Sequence, residues 1–171
     1  MLFCLESIIA CSHRAHIAHI VLITWTSNKR GIAPEAETYI VRVFDDERKF
    51  YGFADGTAYS TDLIAAATIC KEWGADIINA SLGGNNYNRI EEEFFRNLFY
   101  KDGILTVAAS GNGGNDVQVY PAAYDGVLSV GAVDESLQTA PFTTISRSTD
   151  VLAPGKQFLP ILFAIGCRQG S

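Results

Sequence analysis

Short apolar runs alternate with helical periodicity along the middle of this chain, and this alternation restricts its fold more than any other feature. Runs rich in β-branched or aromatic residues are too short for helices and predict buried strands. The intervening stretches place apolar residues at helical spacing, as Leu63, Ala67 and Cys70 show. The predicted elements are a strand at Thr38–Phe44, a helix from Ser60 or Thr61 to Trp73, a strand at Ala75–Leu82, a helix at about Ile90–Lys101, strands at Ile104–Ala109 and Val127–Val133, and a short strand within Thr149–Gly155. This order predicts an α/β fold with three layers, in which a mostly parallel central sheet has helices on both faces.

The composition is that of one globular domain and excludes several classes of partner. The 171 residues are 48% hydrophobic and 19% charged, which favours a folded core over disorder. A net charge of −6 disfavours nucleic-acid binding, because that binding depends on neutralising phosphates. The apolar block Phe158–Ile165 is far shorter than the roughly 20 residues of a membrane span, so no membrane segment is predicted. Met1–Ala10 lacks a basic leader and contains Glu6, so it does not resemble a signal peptide.

Cysteines and histidines give no metal site. The four cysteines lie far apart without CxxC spacing, which predicts buried free thiols rather than a zinc site or a disulfide framework. His13, His16 and His19 recur at a spacing of three before the apolar segment Ile20–Trp25, which has the composition of a helix. On a helix the first and third histidines would lie about 120° apart, so one ion could not easily bind all three.

A glycine-rich turn at Ser110–Gly114 marks the place where chemistry is expected. It follows a predicted strand, and open α/β sheets place their functional groups at the carboxyl ends of strands. Ser81–Gly84 and Ala153–Gly155 leave the sheet at the same edge. Two adjoining strand ends can form a slot for an extended peptide or an apolar side chain. Asn112 can donate its amide N–H to a developing oxyanion, although asparagine is also an ordinary turn residue.

Two other interpretations of these loops are open from the residues alone. One is a non-catalytic module that binds an extended peptide in the same slot. The other is a nucleotide-binding α/β module that uses Ser110–Gly114 as a phosphate loop. The second is the weaker of the two, because no lysine follows the glycines and no helix clearly starts there to match the phosphate charge.

Several segments, in order and spacing, resemble the catalytic domain of the subtilisin-like serine proteases, the subtilases. They are Gly31–Ala36, Asp76–Gly84 (DIINASLGG), Leu105–Gly113 (LTVAASGNG), Tyr120–Ala122, Val127–Asp134 and Asp150–Gly155. The resemblance covers roughly residues 28–155. It divides the chain into a divergent segment 1–30 with a candidate catalytic-histidine helix, a subtilase core 31–155 and a divergent apolar tail 156–171. It implies a subtilisin-like fold, protein or peptide substrates, secretion, and hydrolysis of peptide bonds by a Ser–His–Asp relay.

The resemblance also implies roles for individual residues. Asn112 would be the oxyanion-hole asparagine. Ser81, Leu82 and Gly83 would pair with the substrate backbone and line specificity pockets, and Ala109, Ser110 and Gly111 would form the opposite wall. The segment Ser12–His19 resembles the family's Ser-His-Gly-Thr-His-Val-Ala-Gly, which would make His13 the general base. Arg14, Ala15 and His19 replace small residues of that pattern.

Other parts that the resemblance implies have no counterpart in this sequence. Residues 1–12 contain no aspartate to complete the triad, and residues 156–171 contain nothing like the Gly-Thr-Ser-Met-Ala segment that carries the nucleophile. We therefore expect a subtilase domain that is truncated at both ends and inactive as a protease, with the peptide-binding module as the alternative. No cofactor is predicted; the family often uses structural calcium, but no site can be assigned. The sequence makes no prediction of oligomeric state.

Overall fold

The computed structural model describes residues 2–7, 33, 36–42 and 59–155. The elements in chain order are β1 (Leu2–Ser7), β2 (Glu37–Arg42), α1 (Tyr59–Glu72), β3 (Ile77–Ala80), α2 (Arg89–Tyr100), β4 (Leu105–Ala109), β5 (Val127–Val133) and β6 (Val151–Pro154). These strands form a single sheet in the order β2-β1-β3-β4-β5-β6, and every neighbouring pair is parallel. The carboxyl ends of all its strands therefore lie along one edge of the sheet.

The core lies between this sheet and the two described helices. Ile78 of β3 and Ala108 of β4 belong to the same buried cluster as Leu63 of α1 and Phe95 of α2. The two helices also contact one another, so they pack on the same face. Helix α1 connects β2 to β3, helix α2 connects β3 to β4, and both connections run in the same direction across the sheet. If both crossovers are right-handed, the two helices must lie on the same face. The expectation of helices on the other face falls outside the described residues.

Local interactions fix where each helix ends, and hence where the next strand begins. Asn88 Oδ1 caps α2 by accepting hydrogen bonds from the backbone N–H groups of Ile90 (2.8 Å) and Glu91 (3.3 Å). Gly74 and Gly103 follow the helices with φ of +78° and +74°, a left-handed conformation that glycine adopts without a Cβ penalty. Each glycine turns the chain directly into a core strand.

The parallel α/β fold and the strands and helices predicted between residues 38 and 155 are confirmed, with ends shifted by a few residues. The sequence does not predict strand β1, which lies inside the sheet between β2 and β3. The expectation of free thiols is wrong for Cys70, which is disulfide-bonded and 1% exposed. Spacing along the chain does not report which cysteines the fold brings into bonding distance. The candidate helix at Ile20–Trp25 and the apolar tail lie outside the described residues.

No helix in the described ranges is both long and apolar enough to cross a membrane.

Candidate functional site

A cleft of about 370 Å³ opens at the carboxyl ends of β3 and β4. The two strands are adjacent and parallel, with Ala80 beside Ala108, so the residues that follow them emerge side by side. The lining residues are Ser81, Leu82, Gly83, Asn85, Ala109, Gly111, Asn112, Gly113, Asn115, Val117, Val119 and Thr144. The cleft thus lies at the sheet edge that the sequence predicts.

The first wall is the extended segment that follows β3. The Asn79 side-chain amide donates a hydrogen bond to Ser81 Oγ at 2.8 Å. Farther along, Gly84 and Tyr120 exchange backbone hydrogen bonds of 2.9 and 2.8 Å as an isolated antiparallel bridge. The backbone groups of Leu82 and Gly83, between these two anchors, make no hydrogen bond with other described residues. This wall is therefore tied to Tyr120 at its far end, while the backbone of Leu82 and Gly83 has no partner among the described residues and can pair with a ligand.

The second wall is the glycine turn after β4, and buried Thr144 holds it in place. Thr144 is 1% exposed, and its backbone N–H donates to the Gly111 carbonyl at 2.9 Å. Its Oγ1 accepts a hydrogen bond from the Gly113 N–H at 3.1 Å. On the buried side of the turn, Ser110 Oγ donates a hydrogen bond to the Thr144 carbonyl at 2.8 Å. These bonds present the backbone of Gly111–Gly113 at the cleft in one conformation.

Most of the predicted site residues that the structure describes meet in this cleft. Ser81, Leu82 and Gly83 lie on one side, and Ala109, Gly111 and Asn112 lie on the other. Asn112 is exposed, and its side chain makes no hydrogen bond with any other described residue, so its amide is available to a ligand. Ser110 does not line the cleft; it is 4% exposed and supports the wall from inside. His13 lies outside the described residues.

Sequence reasoning missed Thr144 and Val119 as parts of the site. No element is predicted for residues 134–148 or for the segment that precedes Tyr120. Thr144 carries no local signal, because threonine is mostly exposed in proteins. Its partners Ser110 and Gly113 are more than thirty residues away, so no local pattern identifies it.

A buried hydrogen-bonded group supports the first wall from behind. The Tyr124 hydroxyl donates to Glu91 Oε2 at 2.6 Å and accepts from the Asn88 backbone N–H at 3.0 Å. The Tyr124 ring packs against that of Tyr120 with centroids 4.8 Å apart. Burial, followed by the hydrogen bond to Glu91, raises the pKa of Tyr124 well above its ordinary value of 10.0. Tyr124 therefore stays protonated and joins the start of α2 to the Gly84–Tyr120 bridge.

The chemistry available in the described part of the cleft is hydrogen bonding and apolar contact. None of its described lining residues carries an ionisable side chain. Free backbone groups, the Asn112 amide and small apolar surfaces suit the binding of an extended chain and the stabilisation of an oxyanion. Among the described residues, no three His, Cys, Asp or Glu side chains come together as a metal site would require.

Comparison with known proteins identifies the family. The sequence model of the Subtilase family matches residues 10–168. The chain belongs to the subtilase family. Its match extends beyond residues 28–155, the region in which the sequence resemblance was recognised, at both ends. The predicted membership and the subtilisin-like fold are thereby confirmed.

Individual relatives agree with this assignment. The chain is 30% identical over 148 residues to Subtilisin DY of Bacillus licheniformis, covering 84% of this chain and 51% of the relative. It is 35% identical over 145 residues to the Minor extracellular protease Epr of Bacillus subtilis (strain 168), covering 84% and 21%. The psychrophilic subtilisin-like protease Apa1 of Pseudoalteromonas sp. AS-11 superposes with a TM-score of 0.74 at 26% identity, covering 90% of this chain and 41% of Apa1. The chain spans about half the length of Subtilisin DY and less of the other two.

Proposed function

We propose that this chain provides the peptide-binding cleft and the oxyanion donor of a subtilisin-like serine endopeptidase. The observation that carries the proposal is the backbone of Leu82 and Gly83, which has no hydrogen-bond partner among the described residues and faces the glycine turn across a cleft at the strand ends. A peptide in extended conformation can form main-chain hydrogen bonds with such an edge, and its side chains then enter the space between the walls. Family membership supports a protein or peptide as the ligand.

Asn112 is the proposed oxyanion donor. Its side chain lies at the second wall without a competing partner among the described residues, and Thr144 fixes the turn that carries it. A donor held in place before the reaction stabilises charge that develops on a carbonyl oxygen without reorganising. Ser110 and Ala109 would keep the strand end behind this donor in position.

The remaining catalytic parts are proposed from the sequence. His13 is the proposed general base, by its match to the family's histidine segment. No segment of the 171 residues matches the family's nucleophile motif, so we propose that this chain by itself binds peptides without hydrolysing them. The division into segments 1–30, 31–155 and 156–171 remains a proposal of the same kind. Matching relatives include one named extracellular and one named intracellular, so secretion also stays a prediction.

Binding to an extended peptide tests the proposal directly. We expect the 171-residue chain to bind a fluorescently labelled octapeptide in an anisotropy titration. The matched control is the same peptide with N-methylated backbone amides, which keeps the side chains but removes the main-chain donors. We expect it to bind at least about fivefold more weakly, since losing two such bonds costs roughly 1–3 kcal/mol. Equal affinity for both peptides would contradict backbone pairing.

A turnover assay then distinguishes a chain that only binds peptides from a complete protease. A chromogenic peptide should be bound but not cleaved, and a serine-directed fluorophosphonate should leave the chain unlabelled. Cleavage blocked by the fluorophosphonate would show that a nucleophile is present after all. The second candidate, a non-catalytic peptide-binding module, is favoured by the absence of ionisable side chains among the described lining residues. The Asn112→Ala variant distinguishes the two with a peptide in which a phosphonamidate anion replaces one amide, because this charged tetrahedral group needs no nucleophile: an oxyanion donor should strengthen its binding but not that of the plain peptide.

A further inference from the structure

We propose that Val119 closes the inner end of the cleft, so that the site accepts peptides whose side chains are small, such as glycine, alanine and serine. This inference rests on the proposed peptide-binding function and specifies its class of ligand. The role is not visible in the sequence, because nothing local to Val119 indicates that its side chain lies between the two walls. It follows instead from where the Val119 side chain lies between the two walls.

The two methyl groups of Val119 touch the two walls of the cleft. A methyl group built at Gly83, on the first wall, would collide with Cγ1 of Val119. A methyl group built at Gly111, on the second wall, would lie 2.8 Å from Cγ2. Real Cβ atoms do not approach other carbon atoms this closely. The valine side chain thus bridges the gap between the walls and uses the space that both glycines leave.

The backbone on either side of Val119 holds its side chain there. The Val119 carbonyl accepts a hydrogen bond from the Ala123 N–H at 2.8 Å. The next residue, Tyr120, is tied to Gly84 of the first wall by the paired backbone bonds. Valine is also stiff about χ1, because two heavy atoms branch from its Cβ. A large side chain of a ligand could therefore not displace Val119 by a simple rotation.

The consequence is a cleft in which Val119 already fills the space between Gly83 and Gly111. Val117, 45% exposed, lies at the cleft as well, so its apolar surface remains accessible. A peptide paired with Leu82 and Gly83 can place a hydrogen atom or a methyl group against Val119. A leucine or phenylalanine side chain that enters between Gly83 and Gly111 would meet the valine methyl groups, which fill the space beside both glycines. Packed protein interiors do not accommodate such overlap without displacement.

A series of peptides that differ in side-chain size tests the inference. The peptides have four identical residues between two pairs of lysines, with alanine, valine, leucine or phenylalanine as the repeated residue, so that shifting the register cannot place a small residue in the slot. Affinity for the 171-residue chain is measured by isothermal titration calorimetry. We expect the alanine peptide to bind about tenfold or more tightly than the leucine and phenylalanine peptides. Non-specific apolar binding would give the reverse order, because it increases with buried area.

The Val119→Ala variant supplies the second measurement. Removing both methyl groups should shift the leucine-to-alanine affinity ratio towards leucine by about tenfold or more. The control Val151→Ala makes the same substitution on edge strand β6, outside the cleft, and should leave the ratio at its wild-type value. Circular dichroism establishes that both variants are folded.

Each outcome bears on a different statement. Affinity that rises from alanine to phenylalanine in the wild-type chain overturns the size restriction but leaves peptide binding intact. An unchanged ratio in Val119→Ala also overturns the assignment of Val119. Absence of binding to every peptide, including the octapeptide above, overturns the proposed function and this inference with it.

Discussion

Tyr124→Phe is the substitution whose effect the structure defines most closely. It removes one oxygen atom and leaves the ring in place. That oxygen donates to Glu91 Oε2 at 2.6 Å and accepts from the Asn88 N–H at 3.0 Å. Glu91 is 1% exposed, and its Oε1 has no hydrogen-bond partner among the described residues. The variant would therefore leave a buried carboxyl group without any of the partners that the structure shows for its side chain.

The expected cost follows from these contacts. Leaving a buried polar group unsatisfied costs about 1–3 kcal/mol, and a bond to a carboxyl group lies towards the upper part of that range. We expect Tyr124→Phe to lower the free energy of unfolding by about 2–3 kcal/mol. For a chain of this size, that loss corresponds to a fall in Tm of roughly 5–10 °C.

Urea denaturation followed by circular dichroism measures the change, with Tyr100→Phe as the matched control. Tyr100 also donates its hydroxyl to a carboxylate, Asp125, at 3.1 Å, but it is 64% exposed. Loss of an exposed bond should change stability by less than about 0.5 kcal/mol. The double variant Glu91→Met with Tyr124→Phe should cost less than the sum of the single variants, because neither polar group is then left alone. Equal losses in Tyr124→Phe and Tyr100→Phe would refute the reasoning.

Three further outcomes are expected. Above about pH 10 the free energy of unfolding should fall as pH rises, because the folded state keeps the Tyr124 proton that the unfolded chain releases. Urea titrations at a series of pH values should show that this free energy falls less steeply with pH in Tyr124→Phe. Gly111→Ala should cost at least about 1 kcal/mol more than Gly103→Ala in thermal unfolding, since both glycines have positive φ but only Gly111 is crowded. Thr144→Val should lower the free energy of unfolding by about 1–2 kcal/mol and weaken octapeptide binding in anisotropy titrations, because the Gly113 N–H loses its acceptor. Unchanged binding would contradict the role of Thr144 in holding the glycine turn for the peptide.

The sequence predicts the elements whose patterns are local. Helix α2 has apolar residues on one side, and strands β4 and β5 lie in short apolar runs that each follow a glycine. Their order predicts a parallel sheet, and a parallel sheet places the turns after β3 and β4 together. Most of the candidate site could be located in advance for this reason, since it requires only that two known strands are neighbours.

The features that escaped prediction depend on contacts between distant segments. Strand β1 is short and carries Glu6, so nothing in its own pattern places it in the middle of a sheet. The disulfide at Cys70 depends on which cysteine the fold brings near, which spacing does not report. Thr144 acts on the glycine turn through bonds to residues about thirty positions earlier. A pattern confined to a single segment cannot encode such pairings.

The glycines of the two walls show how a correct motif can carry an incomplete explanation. From the sequence, Gly83 and Gly111 are interpreted as parts of the two walls that bind a substrate. In the structure the atoms that approach them are the methyl groups of Val119. Each glycine is therefore required by the protein's own packing, whether or not a peptide is bound. A small residue in a binding wall indicates close approach, but only the position of its neighbours shows whether ligand or protein fills the space. In this cleft the Val119 methyl groups already occupy the space beside both glycines, so neither glycine by itself indicates room for a ligand.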